Sequence, residues 1–269
     1  MKFNFESDLD YQKEAIDSIV DIFEGQKKDS NNNIFVNEYG IIKNQFNLKD
    51  NDIYNNLIKI QEKNKVPKSE IMNDQLTEGK NFSIEMETGT GKTYVYLRTI
   101  FELNKKYGFK KFLIMVPSVA IKEGVINTLK ATKTHFSHLF EKIPFNFYQY
   151  NSSNLQKVRQ FSRNNNIEIM VMTLDSINKD TNIMNQTNDK LSGQKPIELV
   201  SATNPILILD EPQNMESEKS KVAIENLKPL FTLRYSATHK NYYNLTYRLT
   251  PVEAYDKGLV KKIEVLSVV

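Results

Sequence analysis

The chain has 269 residues, of which 39% are apolar and 26% are charged, with a formal net charge of +3 and no cysteine. This composition is typical of a protein that buries a core, and it excludes disulfides, thiolate metal sites and a cysteine nucleophile. No apolar run approaches the roughly 18 residues that a membrane-spanning helix needs. Residues 1–8 also lack the apolar core of an export signal, so we expect a cytoplasmic protein with no membrane partner.

The first predicted element is a helix over residues 9–24, where apolar side chains recur at helical spacing. Residues 25–79 are rich in Asn and Lys, with apolar side chains concentrated at residues 34–36 and 53–60. We predict an insertion here, with one short strand and one or two helices. The insertion has two possible uses, a surface that docks a partner or solvated decoration, and its polar composition favours the second.

From residue 82 onward, short apolar strands alternate with helices. The runs FLIMV and ILIL are continuously apolar, as the central strands of a parallel sheet are. This alternation predicts an α/β fold with a mostly parallel central sheet flanked by helices. The predicted strands are residues 82–85, 111–116, 145–150, 167–173, 205–209, 230–236 and 262–268, the predicted helices include residues 92–107 and 118–130, and residues 178–196 are a predicted surface loop.

The segment METGTGKT, residues 86–93, follows a predicted strand and opens a predicted helix. A strict phosphate-loop pattern has glycine where Met86 stands, but Gly-x-Gly-Lys-Thr is present. The loop N–H groups would converge on a phosphate, Lys92 would reach the β- and γ-phosphates, and the Thr93 hydroxyl would ligate Mg²⁺. Alone, the segment fits a plain glycine-rich turn equally well. The candidate nucleotide-binding residues are Thr88, Gly89, Thr90, Gly91, Lys92 and Thr93.

A second segment, ILILDEPQNM, favours the nucleotide site. Its apolar strand ends in Asp210 and Glu211, at the edge where open α/β sheets bind ligands. Asp210 can hold Mg²⁺ through water, and Glu211 can orient the attacking water as a base. The two segments together predict a site for ATP and Mg²⁺, with Lys92, Asp210 and Glu211 as catalytic residues and with Thr93 and Asp210 as metal ligands.

The ordered set of motifs resembles the first motor domain of superfamily-two helicases and translocases, which has a RecA-like fold. In that superfamily the first glycine of the phosphate loop is often replaced. The matches are LDYQ to the Q motif, METGTGKT to motif I, VPS to motif Ia, VMT to motif Ib, DEPQ to motif II and YSAT to motif III. Together, METGTGKT, DEPQNM, LRYSATH and VEAYDKGLVKKIEV resemble the Res subunit of type III restriction–modification enzymes.

The resemblance assigns roles to further residues. Gln12 would hydrogen-bond the adenine of ATP, and Tyr11 would either stack near the base or pack in the core. Ser236 and Thr238 would couple hydrolysis to movement. The remaining assigned residues would contact the phosphate backbone of a nucleic acid without reading its sequence, and they are Pro117, Ser118 and Thr173.

The resemblance also implies partners. These are DNA, a second RecA-like lobe that supplies an arginine finger, a nuclease domain, and a DNA methyltransferase modification subunit that selects the DNA site. Only 30 residues follow residue 239, so we expect the second lobe and the nuclease domain to lie outside this chain. We interpret residues 1–269 as one RecA-like lobe with an insertion at about residues 25–79, weakly active alone.

Two alternatives to a DNA translocase lobe remain at this stage. The first is an RNA helicase lobe of the same superfamily, which ranks second because motif II reads Asp-Glu-Pro-Gln rather than the Asp-Glu-Ala-Asp usual in RNA helicases. The second is a non-motor module that binds a nucleotide only as a structural element. Glu211 counts against this module, because a pure binder needs no base to orient water.

Overall fold

The computed structural model describes residues 8–28, 40–72, 75–77 and 79–260. Its centre is a sheet of seven strands in which every neighbouring pair is parallel, and a separate antiparallel pair, β1 (Ile71–Met72) and β2 (Gln75–Leu76), precedes it in the chain. The sheet strands are β3 (Asn81–Met86), β4 (Lys111–Val116), β5 (Phe145–Gln149), β6 (Ile167–Thr173), β7 (Ile206–Asp210), β8 (Phe231–Ser236) and β9 (Tyr247–Leu249). Their spatial order is β5-β6-β4-β7-β8-β3-β9.

Helices cover both faces of the sheet, because side chains that alternate along each strand enter two separate cores. Ile114 of β4 lies in one core, and its neighbour Leu113 lies in the other. The first core is covered by α1 (Asp10–Val20), α2 (Asp50–Lys63), α3 (Lys92–Tyr107), α4 (Val119–Leu139) and α8 (Pro251–Asp256), and the second by α5 (Gln156–Arg163), α6 (Pro196–Ser201) and α7 (Glu218–Glu225). The predicted fold class is confirmed. None of the described helices is long and apolar enough to cross a bilayer.

The predicted strands from residue 82 to residue 236 all form, with boundaries within one residue of those expected from the sequence. The helix predicted at residues 9–24 forms as α1 and a 3-10 turn at Asp21–Phe23 that follows it. The helix predicted at residues 118–130 forms as α4, which continues to Leu139. Strand β9 was not predicted. The strands predicted at residues 34–36 and 262–268 lie outside the described residues.

Part of the predicted insertion belongs to the core, so solvated decoration is the wrong description of residues 40–63. Ile53 and Leu57 of α2 are fully buried in the first core. Asn44, which is 3% exposed, lies against the amino-terminal end of β4. Its Oδ1 accepts from the backbone N–H groups of Lys110 and Lys111, and its Nδ2 donates to Lys111 O at 2.9 Å. Residues 40–63 therefore close one end of the sheet.

The loop predicted at residues 178–196 is packed against the domain rather than lying loosely on its surface. It contains two 3-10 turns, Ile183–Asn185 and Asp189–Leu191. Met184 and Leu191 are 0% and 1% exposed and lie in the second core. Two apolar anchors in a polar segment are enough to hold it, because burying each side chain stabilises the fold by about 1.5–3 kcal/mol.

Candidate functional site

The glycine-rich loop lies between β3 and α3, as the sequence predicts. Gly89 and Gly91 have φ of 83° and 91°, a backbone conformation that L side chains rarely adopt, and Gly91 is the residue that precedes α3. The Thr90 hydroxyl donates to Glu87 O at 2.6 Å, which braces the loop from within. The loop thus presents backbone at the positive end of α3, where helix N–H groups have no intrahelical partner.

The start of α1 is joined to this loop through two buried side chains. The Tyr11 hydroxyl donates to Thr90 O at 3.0 Å, and Gln12 Nε2 donates to the same oxygen at 3.2 Å. A Cβ added to Gly91 would lie only 2.7 Å from Gln12 Nε2, so an alanine there would displace the Gln12 amide. The structure therefore brings both residues of the predicted Q motif to the phosphate loop, and the contact of Gln12 with adenine stays a prediction.

The order of the strands places Asp210 and Glu211 beside Lys92. Strand β8 lies between β7 and β3, so the carboxyl ends of all three meet at one edge of the sheet. Lys92 Nζ lies 3.1 Å from Glu211 Oε1 and 3.3 Å from Met86 O. The side chains of Lys92 and Glu211 are 10% and 24% exposed, so their attraction is only partly screened by water.

The two carboxyl groups differ in pKa. Burial and, to a smaller extent, the neighbouring charge of Glu211 raise the pKa of Asp210 to about 6, against the opposing effects of Tyr96 and Lys92. Burial also acts to raise the pKa of Glu211, but a hydrogen bond from Gln213 and the charge of Lys92 outweigh it, so that pKa is lowered. Glu211 is therefore ionised at neutral pH, as a residue that accepts a proton from water must be.

A ring of hydrogen bonds holds Glu211 in place. Glu211 has a left-handed backbone (φ 56°, ψ 57°), and Gln213 Nε2 donates to its Oε2 at 2.8 Å. The Ser236 hydroxyl lies 3.0 Å from the same oxygen and 2.8 Å from Gln213 Oε1. Thr238 is exposed and joins this ring through its backbone N–H, which donates to Ser236 Oγ at 3.0 Å. Gln213 was not among the predicted site residues, although it lies within the DEPQ motif.

Tyr96 is the other site residue that the sequence did not reveal. It is fully buried, and its hydroxyl donates to Asp210 Oδ2 at 3.2 Å. It follows Thr93 by three residues on α3. Residues three apart on a helix share a face, so spacing alone could have directed attention to Tyr96.

The three predicted nucleic-acid residues share the carboxyl edge of the sheet, because β4 and β6 are neighbours. Pro117 is half-buried, and Ser118 is exposed and accepts from Ile121 N at 3.3 Å, which caps α4. Thr173 is only 7% exposed, and its hydroxyl pairs with Ser176 Oγ at 3.0 Å. An open groove of about 490 Å³ runs beside Ser176. Their contact with a nucleic-acid backbone stays a prediction.

The donor set fits Mg²⁺ held together with a nucleotide. Among the described residues, no three His, Cys, Asp or Glu side chains are grouped as a metal cluster. Mg²⁺ is commonly bound by one or two protein oxygens together with substrate phosphates and water. The Thr93 hydroxyl and the Asp210 carboxylate are hard oxygen donors, and Asp210 Oδ2 is held by the hydroxyl of Tyr96, which is on the same helix as Thr93. The positive φ of Gly89 and Gly91 leaves the loop backbone accessible to phosphate.

Comparison with known proteins identifies the family. The profile described as "Type III restriction enzyme, res subunit" matches residues 6–241. The chain belongs to this Res family. The match covers the two Q-motif residues, the phosphate loop, Asp210, Glu211 and Ser236, so the resemblance drawn from the sequence motifs is confirmed.

Two similar Res subunits extend the match to nearly the whole chain. The EcoPI Res subunit of Escherichia phage P1 is 31% identical over 97% of this chain. The EcoP15I Res subunit of Escherichia coli is 30% identical over 97% of it. The chain spans 29% of the length of each of these relatives.

Solved structures with a partial likeness include two nucleic-acid complexes. A nuclease-deletion mutant of the Type ISP restriction-modification enzyme LlaGI, in complex with a DNA substrate mimic, matches 68% of this chain and 19% of its own, with 16% identity and a TM-score of 0.46. The SWI2/SNF2 ATPase core of Sulfolobus solfataricus, in complex with dsDNA, matches 76% of this chain and 34% of its own, with 16% identity and a TM-score of 0.40. Membership of the Res family therefore rests on sequence, not on these structures.

Proposed function

We propose that this chain is the ATP-binding and ATP-hydrolysing first motor lobe of a DNA translocase, within the Res subunit of a type III restriction endonuclease. The observation that carries the proposal is the chain of contacts Lys92–Glu211–Ser236, which joins the phosphate loop, the DEPQ segment and the YSAT segment at one sheet edge. Membership of the Res family supports the restriction setting.

In this proposal each residue has a task that its surroundings favour. Lys92 binds the β- and γ-phosphates, because an ammonium group beside the loop N–H groups neutralises their charge. Glu211, whose pKa is lowered, accepts the proton of the attacking water. Ser236 and Gln213 hold its Oε2 and so fix the direction of the carboxylate. When bound, Mg²⁺ would be held by Thr93 and Asp210, and it would offset the charge that develops on the phosphates.

The hydrogen bonds among Glu211, Gln213 and Ser236 also suit Ser236 to couple hydrolysis to movement. Its one hydroxyl proton has two acceptors, Glu211 Oε2 and Gln213 Oε1, at 3.0 and 2.8 Å. A hydroxyl can donate to only one of them at a time, so a change at Glu211 during hydrolysis changes the partner of Ser236. Thr238 would take part through the backbone, because its N–H donates to Ser236 Oγ.

The proposed partners come from the family. The EcoPI and EcoP15I proteins are Res subunits of restriction–modification enzymes and are longer than this chain. We infer that this lobe acts on DNA, with a second RecA-like lobe that supplies an arginine finger, with a nuclease domain, and with a DNA methyltransferase modification subunit. An arginine finger contributes about 10³–10⁵ to the rate of phosphoryl transfer, so the lobe alone should turn over slowly.

The test is a pair of variants in the full-length Res subunit assembled with its modification subunit. Lys92→Ala should abolish measurable nucleotide binding. Glu211→Gln should retain binding and slow DNA-stimulated ATP hydrolysis by about 10²–10⁴, the usual contribution of a positioned base. Glu225→Gln, at an exposed carboxylate that ends α7, is the matched control and should hydrolyse ATP at the wild-type rate. Wild-type hydrolysis by Glu211→Gln would refute the assigned mechanism.

The same assay separates the alternatives. Stimulation of the wild-type ATPase by duplex DNA supports the translocase lobe. Stimulation by RNA, with no response to DNA, would identify an RNA helicase lobe. Tight nucleotide binding with no hydrolysis under any condition would identify a structural nucleotide-binding module.

A further inference from the structure

Tyr96 lies at the junction of the two proposed Mg²⁺ ligands. Its side chain is fully buried on the inner face of α3, and its hydroxyl donates to Asp210 Oδ2 at 3.2 Å. Asp210 is itself only 5% exposed. Thr93, the other residue assigned to Mg²⁺, lies three residues earlier on the same helix, which is about one turn. Tyr96 therefore connects the helix that follows the phosphate loop with the end of β7.

The chemistry of the phenol suits this junction. A phenolic hydroxyl has one proton to donate, and Tyr96 donates it to Asp210 Oδ2. Because Asp210 Oδ2 is held by this bond, the carboxylate cannot rotate freely, and the direction of Oδ1 is fixed as well. Removing a partner that orients a metal ligand typically lowers metal affinity or activity by about 10–100-fold.

Packing alone does not account for the hydroxyl. The Tyr96 ring contacts the Tyr235 ring edge to face, with centroids 5.5 Å apart at 60°. A phenylalanine would preserve that contact. A buried hydroxyl is unfavourable unless it is hydrogen-bonded, and the partner that makes the Tyr96 hydroxyl acceptable here is Asp210, a residue assigned to the metal.

We propose that Tyr96 is a positioning residue for Mg²⁺, which holds Asp210 in the orientation that the Mg²⁺–nucleotide complex requires. This inference rests on the proposed function of the site. It assigns Tyr96 no contact with the nucleotide and no part in proton transfer. Its loss should weaken the response to Mg²⁺ while leaving the nucleotide contacts of the loop in place.

The chain offers a matched control in Tyr235. This tyrosine is also fully buried, and its hydroxyl donates to Thr99 Oγ1 at 3.4 Å. Thr99 lies about one turn beyond Tyr96 on α3. Thr99 belongs to no part of the proposed site. Tyr235→Phe therefore removes a buried hydroxyl from the same layer of the core without touching Asp210 or Thr93.

The experiment measures binding of a fluorescent ADP analogue to the full-length Res subunit, first in EDTA and then across a Mg²⁺ titration. For Tyr96→Phe we expect the Mg²⁺ concentration at half-effect to rise about tenfold or more, with affinity in EDTA unchanged. Tyr235→Phe should match the wild type in both conditions. Thermal unfolding checks that each variant is folded, and Tyr96→Met, which also lacks the hydroxyl, should reproduce the shift if Tyr96→Phe proves unstable.

Three results would overturn the inference. The first is a folded Tyr96 variant with a wild-type Mg²⁺ midpoint, and the second is an equal shift in Tyr235→Phe. The third is a loss of affinity in Tyr96→Phe that is the same in EDTA as in Mg²⁺, which would make Tyr96 a purely structural residue. Failure of the proposed function looks different, because the wild-type protein itself would then bind no nucleotide at any Mg²⁺ concentration.

Discussion

Replacing Gly91 by alanine tests how the phosphate loop is built. Gly91 has φ of +91°, and a Cβ there would lie 2.7 Å from Gln12 Nε2. Gly89 is the matched position, because its φ is +83° but an added Cβ would meet nothing within 4 Å. Both alanines impose the same kind of backbone strain, and only Gly91→Ala also disturbs Gln12.

The expected losses in the free energy of unfolding follow from the backbone strain and from the disturbance of Gln12. A left-handed backbone costs an L residue about 1–2 kcal/mol, so Gly89→Ala should lower the free energy of unfolding by about that amount. In Gly91→Ala the amide of Gln12 must move away from Thr90 O, 3.2 Å away, and from the Tyr11 hydroxyl. A lost hydrogen bond adds about 1 kcal/mol, so this variant should be destabilised by about 2–3 kcal/mol.

Urea unfolding followed by circular dichroism measures the difference, and the double variant Gly91→Ala/Gln12→Ala isolates its cause. Once Gln12 is truncated, the alanine at position 91 should cost only the strain, so the two changes should couple by about 1 kcal/mol. Equal destabilisation by Gly89→Ala and Gly91→Ala, with no coupling to Gln12→Ala, would refute the reasoning and leave Gln12 without a role in holding the loop.

Three further predictions concern other parts of the domain. Burial lowers the pKa of His239 below its usual 6.5, against the opposing effect of the hydrogen bond between its Nε2 and Ile84 O at 3.0 Å. As the pH falls, the unfolded chain therefore binds a proton at this histidine before the folded chain does. The free energy of unfolding should therefore fall below pH 6.5, and His239→Gln should flatten that fall in chemical denaturation. Ser118→Ala should remove the cap of α4 and cost about 1 kcal/mol in thermal unfolding, whereas Ser118→Asp should retain the cap and weaken DNA binding through charge repulsion. Lys111→Met should destabilise the fold by about 2 kcal/mol or more in urea, because a buried carbonyl group and a partly buried one lose the donor that lies 2.5–2.6 Å from them.

Each of these predictions has an outcome that would contradict it. An identical pH profile for wild type and His239→Gln would remove His239 from the account of acid stability. Wild-type DNA affinity in Ser118→Asp would make the predicted backbone contact wrong while leaving the cap intact. Lys110→Met changes the adjacent lysine, whose Nζ donates to Asn165 Oδ1 in an exposed contact, and it should cost far less than Lys111→Met. Equal costs would mean that burial of Lys111 does not matter.

The parts of the fold that the sequence predicted are those encoded in runs of neighbouring residues. FLIMV and ILIL became β4 and β7 because a strand buried on both faces must be apolar at every position. Strand β9 was missed because it has three residues, one of them Arg248, and its place follows only from pairing with β3. Residues 40–63 were misjudged because Asn44 makes its contribution by polar contacts, which hydropathy does not register.

The residues of the candidate site also differ in whether the local sequence reveals them. The sequence predicts Lys92, Asp210 and Glu211 because each occupies a fixed position relative to a strand end, which is a local property. The roles of Tyr96 and Gln213 depend on groups that come together only in the folded chain: Tyr96 meets Asp210 across 114 positions, and Gln213 meets Ser236 across 23. A single sequence records no such distances. The spacing of Thr93 and Tyr96 on one helix face is the one local signal, and it does not indicate Asp210.

The strand order has a consequence for how the protein is made. β3, which carries the phosphate loop, pairs on one side with β8 and on the other with β9. Both partners leave the ribosome long after β3, so both edges of this buried strand stay unpaired while most of the domain is synthesised. Contacts this distant in sequence form slowly, and open strand edges invite pairing with other chains. The nascent chain should therefore depend on chaperones until β8 and β9 emerge, and its capacity to bind nucleotide should arise late and all at once.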